Sequence, residues 1–178
     1  VVLPQKGLYF SATPALFTGK DGKEVNYFKH VCYRTVSELA AHCIDLSDDG
    51  KNAFFACGSF EHEYIEVERK GVIKKKQRVQ ENALYARSQW IDIDCGNDEY
   101  PTQKDGIRGL VEFCKSTDLP LPNVLVNSGN GIHGYWVFEQ DVQKAAWLKS
   151  AKLFKAIQAR FNFAQTDTTR TGDIASVL

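Results

Sequence analysis

Gly7 to Phe17 is apolar with short polar breaks and stops at Gly19-Lys20-Asp21-Gly22, a run that marks a turn. Tyr27 to Tyr33 is rich in aromatic and β-branched residues and predicts a strand. Thr35-Val36-Ser37-Glu38 has the form of a capping box, in which the Thr side chain caps a helix and Glu38 reaches back. Behind it Val36, Leu39, Ala40 and Cys43 recur at helical spacing, and Asp48-Asp49-Gly50 closes the unit. Ala53 to Phe60 predicts another strand, and the charged segment 61–87 a hairpin around Gly71.

The second half is more regular. Trp90 to Asp94 is a short strand ended by Cys95-Gly96-Asn97-Asp98. Pro101-Thr102 opens a helix, with Asp105 three residues after Thr102 and Ile107, Leu110, Val111 and Cys114 on its expected apolar face; it stops before Pro120 and Pro122. Val124 to Asn127 and His133 to Phe138 are strands joined by the tight turn Ser128-Gly129-Asn130-Gly131. Asp141 to Phe161 predicts a long helix with Trp147, Ala151, Phe154, Ile157 and Phe161 along one stripe. The order β-α-β-β-α is that of an RRM-like, or split βαβ, unit.

Composition narrows the class. With 178 residues, 43% hydrophobic and 25% charged, the chain has the usage of a globular protein. No apolar run approaches the roughly 18 residues of a membrane span. The start Val-Val-Leu-Pro-Gln-Lys has no initiating Met and no signal-peptide pattern, and Ala-Ser-Val-Leu ends inside an apolar pattern. Both ends suggest a piece of a longer protein. Five scattered cysteines (Cys32, Cys43, Cys57, Cys95, Cys114) point to buried thiols in a reducing compartment. No Cys-x-x-Cys pair suggests zinc. Lys+Arg and Asp+Glu are both 22, so the net charge excludes a strongly basic nucleic-acid binder. The distribution is uneven: residues 69–87 carry seven bases (Arg69, Lys70, Lys74, Lys75, Lys76, Arg78, Arg87) against Glu81 alone. Such a segment either binds phosphates locally or forms a solvated charged hairpin.

Three constellations carry candidate chemistry. In Trp90-Ile91-Asp92-Ile93-Asp94, strand alternation sends Ile91 and Ile93 to one face and Asp92 and Asp94 to the other, about 7 Å apart. Two neighbouring carboxylates repel, and a divalent cation removes that conflict. The alternative is that Asp94 caps a turn while Asp92 faces water. In Ser128-Gly129-Asn130-Gly131-Ile132-His133-Gly134-Tyr135-Trp136, His133 and Tyr135 share one face and Trp136 the opposite, core face. Exposed N–H groups of that turn can cradle phosphate oxygens; otherwise it is a glycine-rich hairpin with a surface His. Asp167 follows the long helix and precedes Asp173. It is either a third acid or a polar turn residue.

The order of these motifs resembles the catalytic core of the archaeo-eukaryotic primase superfamily, and within it the primase-polymerase domains of phages and plasmids. Asp92-Ile93-Asp94-Cys95-Gly96 matches a hydrophobic strand bearing two acids, Ser128 to Trp136 a small-residue turn before a strand His, and Asp167 the third acid. The resemblance covers residues 89–178 and is looser before that.

It implies an α+β fold: an RRM-like catalytic half (89–178) packed on an N-terminal α/β half (1–88), with mixed or antiparallel sheets and the active site between the halves. It implies template-directed nucleotidyl transfer from ribo- or deoxynucleoside triphosphates in phage or plasmid replication. Asp92, Asp94 and Asp167 would be catalytic and would hold two Mg²⁺ or Mn²⁺ ions. Ser128, Gly129, Gly131 and His133 would hold the triphosphate. Lys74, Lys75, Lys76, Arg78 and Arg87 would follow the phosphates of a single-stranded or primed DNA template; Arg170 and Lys149 are further candidate phosphate contacts. The expected setting is the cytoplasm, the host's if phage-encoded, and the expected neighbour a C-terminal helicase or other replication module. Rival classes are a metal-dependent nuclease or phosphoesterase, a strand-nicking initiator, which would need paired histidines and a nucleophilic Tyr, and a non-catalytic RRM-like nucleic-acid-binding module.

Overall fold

A computed structural model describes residues 2–18, 23–161, 166 and 168–178. The predicted turn at Gly19 to Gly22 lies outside them, as does Asp167.

The N-terminal half opens with β1 (Tyr9–Thr18) and β2 (Glu24–Tyr33), paired antiparallel from Tyr9↔Tyr33 to Thr18↔Glu24. α1 (Val36–Asp48) follows, and its capping box forms as predicted: Glu38 N–H donates to Thr35 Oγ1 at 3.2 Å and Thr35 N–H to Glu38 Oε2 at 2.9 Å. Such a cap contributes about 1 kcal/mol. Leu39 of α1 packs with Leu3 and Tyr9 on one face of β1. Phe10 and Ala12, on the alternate face, enter the main core.

The single strand expected over Ala53 to Phe60 is two strands in two sheets. β3 (Phe54–Phe55) extends the first sheet, in the order β2-β1-β3, whereas β4 (Gly58–Phe60) joins the second. The intervening Ala56 and Cys57 are gripped by the C-terminal segment: Ala56 bridges Val177, and Cys57 N–H donates to Ser176 O at 3.2 Å. A hydrophobic pattern registers burial, and burial continues unbroken across the change of partner. The hairpin around Gly71 is present as β5 (Ile65–Arg69) and β6 (Val72–Lys76). Lys70 and Gly71 turn it with φ of 55° and 75°, the left-handed pair a two-residue hairpin needs.

The second sheet runs β4-β7-β9-β8, with β7 (Ala83–Asp94), β8 (Val124–Asn127) and β9 (Gly131–Gln143). Its paired strands are antiparallel. With α2 (Gln103–Thr117) between β7 and β8 and α3 (Lys144–Arg160) after β9, the second half has the predicted β-α-β-β-α order. The short α4 (Thr168–Thr171) lies against β7. Among the described residues no helix is long and apolar enough to cross a membrane.

α2 starts with its predicted capping box on Thr102 and Asp105, but its buried face is rotated from the expected one. Gly106, Leu110, Phe113 and Cys114 face inward, while Ile107 is 40% exposed. Gly106 sits tight against Cys95, Ile132 and Ile93, so backbone approach rather than side-chain hydrophobicity sets the contact. Phe113 and Trp136 both meet the ring of Phe154, at centroid distances of 6.3 and 5.1 Å. In α3 Trp147, Ala151 and Phe154 are buried as predicted, but Phe161 ends the helix exposed. Phe113→Ala is therefore expected to cost about 3–5 kcal/mol in urea unfolding. Ile107→Ala should stay within about 0.5 kcal/mol, and the reverse ranking would contradict this packing.

Candidate active site

The site is built on the register of β7 against β9. Asp92 pairs with His133 and Asp94 with Gly131, so both acids and the His share one face. Ile91 and Ile93 point the other way and are fully buried. The register is close: a Cβ on Gly131 would collide with the Ile93 carbonyl, so only glycine lets β9 start beside Asp94.

Asp92 is flanked by an imidazole and a guanidinium. His133 Nε2 lies 3.4 Å from Asp92 Oδ1, and Arg170 Nε lies 3.6 Å from Asp92 Oδ2. The Asp92 and His133 side chains are 14% and 13% exposed, whereas Asp94 is exposed. Burial, then the Arg170 charge, holds the His133 imidazole below its ordinary range, against an upward pull from Asp94. Beneath His133, the Tyr135 hydroxyl sits beside the Cys57 thiol, and burial pushes both groups up, so both stay protonated.

Arg170 is held in place by side chains of β7. Trp90 Nε1 donates to Arg170 O at 3.0 Å and Gln89 Nε2 to Thr171 O at 3.1 Å. Trp90 itself stacks on Trp147 at 4.7 Å. Ahead of α4, Thr166 bridges Ile93, and its hydroxyl accepts from the buried Gln158 at 3.4 Å. The Asp167 expectation lies outside the described residues.

Other expected site residues fall into different settings. Ser128 and Gly129 are exposed in the β8–β9 turn, next to Gly131. Ser128 N–H donates to Gly131 O at 3.1 Å and Gly129 N–H to Asn127 Oδ1 at 2.8 Å. Gln103 Nε2 further ties Asn127 Oδ1 and Gly129 O, at 2.7 and 2.9 Å. The Ser128 and Gly129 N–H groups are thus used inside the turn, which borders an open hollow of about 440 Å³ lined by Cys95, Thr102, Gln103, Lys104 and Asn130 among others. Arg87 is committed elsewhere: it pairs with Asp141 at 3.1 Å and donates to Glu139 O at 3.0 Å, tying β7 to β9. Lys74, Lys75 and Lys76 are exposed on the β5–β6 hairpin.

Arg78 leaves the other bases of its segment. It turns inward, donates to Ala175 O, and comes within electrostatic range of Arg170, Asp173 and His30. Arg170 Nη1 donates to Val177 O at 2.7 Å. Two guanidiniums from opposite halves of the chain are therefore anchored on alternate carbonyls of one segment. Sequence spacing gave no sign of Gln103 or of the Arg78–Arg170 arrangement, although each arginine was a candidate phosphate contact.

The donor set fits a hard divalent ion. Mg²⁺ is commonly held by one or two carboxylates together with substrate phosphates and water, and Asp92 and Asp94 offer two carboxylates on one face. Among the described residues no group of three metal-ligating side chains stands together.

No family model matches the sequence, and no curated protein does either. A structural match is found with the archaeo-eukaryotic primase domain of the primase-polymerase of cyanophage S-2L, at a TM-score of 0.55 and 17% identity, covering 97% of this chain and 71% of that one. The chain thus has an α+β fold similar to that of this domain.

His30 gives this region a pH signature. Burial, then Arg78, lowers its pKa from 6.5, against a smaller upward effect of the Ser11 backbone. The unfolded chain then binds the proton more readily, so this contribution to stability is complete above pH 6.5 and is lost as pH falls below it. Urea midpoints are expected to fall between pH 7.5 and 5.5 less steeply in His30→Gln than in the parent protein. Equal slopes would contradict the assignment.

Proposed function

We propose that the chain is a nucleotidyltransferase of the primase-polymerase kind, extending or starting DNA strands on a template from nucleoside triphosphates. The observation that carries this reading is Asp92, set between His133 and Arg170 on the β7–β9 face, in a chain whose fold matches a primase-polymerase domain. Asp92 and Asp94 would hold Mg²⁺ or Mn²⁺, with Asp167 as the further acid. Bound divalent ions supply the charge that activates a 3′-hydroxyl and steadies departing pyrophosphate.

The chain's own part is positioning and electrostatics. His133, kept largely neutral by burial and by Arg170, can donate an N–H to a phosphate oxygen without adding a full charge. Arg170 balances Asp92 in the chain alone and lies where its guanidinium can turn to a phosphate; Arg78 offers a second fork from the N-terminal half. The Tyr135–Cys57 pair beneath them provides a neutral, dry floor. The substrate phosphates are thus assigned to His133 and the two arginines, with Ser128, Gly129 and Gly131 shaping the strand entry beside Asp94.

Labelled nucleotide incorporation on a primed single-stranded template, with released pyrophosphate followed in parallel, tests the reading. Losing several kcal/mol of charge stabilisation corresponds to roughly a thousandfold or more in rate, so Asp92→Ala and Asp94→Ala are each expected to fall to background. Strand degradation without pyrophosphate would point instead to a nuclease, and template binding with no chemistry to a binding module.

A further inference from the structure

The β5–β6 hairpin sorts its charges by face. Residues opposite one another in an antiparallel pair share a face, and neighbours along a strand alternate. The register Ile65↔Lys76, Val67↔Lys74 and Arg69↔Val72 puts Lys74, Lys76 and Arg69 on one face with three aliphatic residues and no acid. The register Glu66↔Lys75 and Glu68↔Ile73 puts both acids on the other face, with Lys75. Lys75 is further occupied there, its Nζ lying 4.4 Å from the centroid of the Tyr64 ring. Arg69 is met by Glu81 at 3.7 Å; both are exposed.

The hairpin is also aimed. The buried Asn82 clamps its base: its side-chain nitrogen donates to His62 O and Gln77 O, both at 2.7 Å, and its oxygen accepts from His62 N–H at 3.1 Å. Two residues beyond Lys76, Arg78 enters the site beside Arg170. A line of bases, Lys74, Lys76 and Arg78, therefore leads from an exposed ribbon toward Arg170. On this face Lys74 and Lys76 are exposed, Ile65 and Val67 are half-buried, and Arg69 is the base already met by an acid.

We infer that the Lys74/Lys76 face of the hairpin binds the phosphate backbone of a nucleic-acid duplex, the stretch of primer and template behind the reacting end. Charge complementarity names the backbone. The absence of an aromatic ring from this face names duplex over single strand, because single strands are held by stacking on aromatic side chains. This inference rests on the nucleotidyltransferase reading for its duplex but concerns binding alone.

The test is fluorescence anisotropy with a labelled primer–template duplex and, separately, the single strand, over a series of salt concentrations and without nucleotide. Each phosphate contact contributes about 0.9 to the slope of log K against log salt on a duplex. Lys74→Ala with Lys76→Ala is expected to lower that slope by about 2 and to leave single-strand binding nearly unchanged. Lys75→Ala removes the same charge from the opposite face and is expected to leave the slope as it was. Equal effects of Lys75→Ala and the double variant, no effect of either, or a loss confined to the single strand would overturn the inference. An inactive chain that keeps the face-dependent slope would sink the catalytic reading alone.

Discussion

The register between β7 and β9 is the constraint on which the rest depends. It puts Ile91 and Ile93 beneath the helices and Asp92 and Asp94 on the opposite face. A slip by one residue would exchange the two sets. The cost would be roughly 3–6 kcal/mol of lost isoleucine burial and several kcal/mol for each carboxylate driven into the core. That is comparable with the whole stability of an ordinary domain, about 5–15 kcal/mol. Packing of the hydrophobic face therefore fixes the chemistry of the polar one. Gly131 sharpens the choice, because its close approach to Ile93 leaves little freedom in where β9 begins.

The second organising feature is the chain segment 174–178. It bonds to Phe55 and Cys57 of the N-terminal half and accepts from Arg78 and Arg170 through alternate carbonyls. Ile174, Ala175 and Val177 at the same time fill the core between the sheets. One short stretch thus joins the two halves and anchors two guanidiniums, of which Arg170 lies beside Asp92. Their mutual repulsion is offset by Asp92 and Asp173 in the chain alone. An anion would resolve it more fully, which is why the arginines rather than the glycine turn are assigned to phosphates.

What was legible in the sequence was local. The capping boxes at Thr35 and Thr102, the turn at Lys70-Gly71 and the alternation around Asp92 depend on residues a few positions apart. What was illegible depended on partners far along the chain. The stretch 53–60 changes sheets because residues 176–178 bond between its two pieces. The α2 face is rotated because Gly106 seats the helix on Cys95 and Ile93, and a glycine leaves no hydrophobic mark. Arg87 and Arg78 look alike in a basic run, yet one is absorbed by Asp141 and the other by Ala175. The two acids were readable because alternation within β7 puts them on one face; that His133 meets them depends on the β7–β9 register, and Arg170 arrives by way of α4.

The central claim is that Asp92 is the pivot of a cation and phosphate site completed by His133 and the two arginines. A crystal structure grown with Mn²⁺ and a non-hydrolysable nucleoside triphosphate tests it most directly. Anomalous density is expected within about 2.3 Å of the Asp92 and Asp94 carboxylates, with phosphate oxygens in hydrogen-bond reach of His133 and Arg170. Manganese bound away from these two acids, or a nucleotide whose phosphates leave Arg170 still paired to Asp92, would contradict the account.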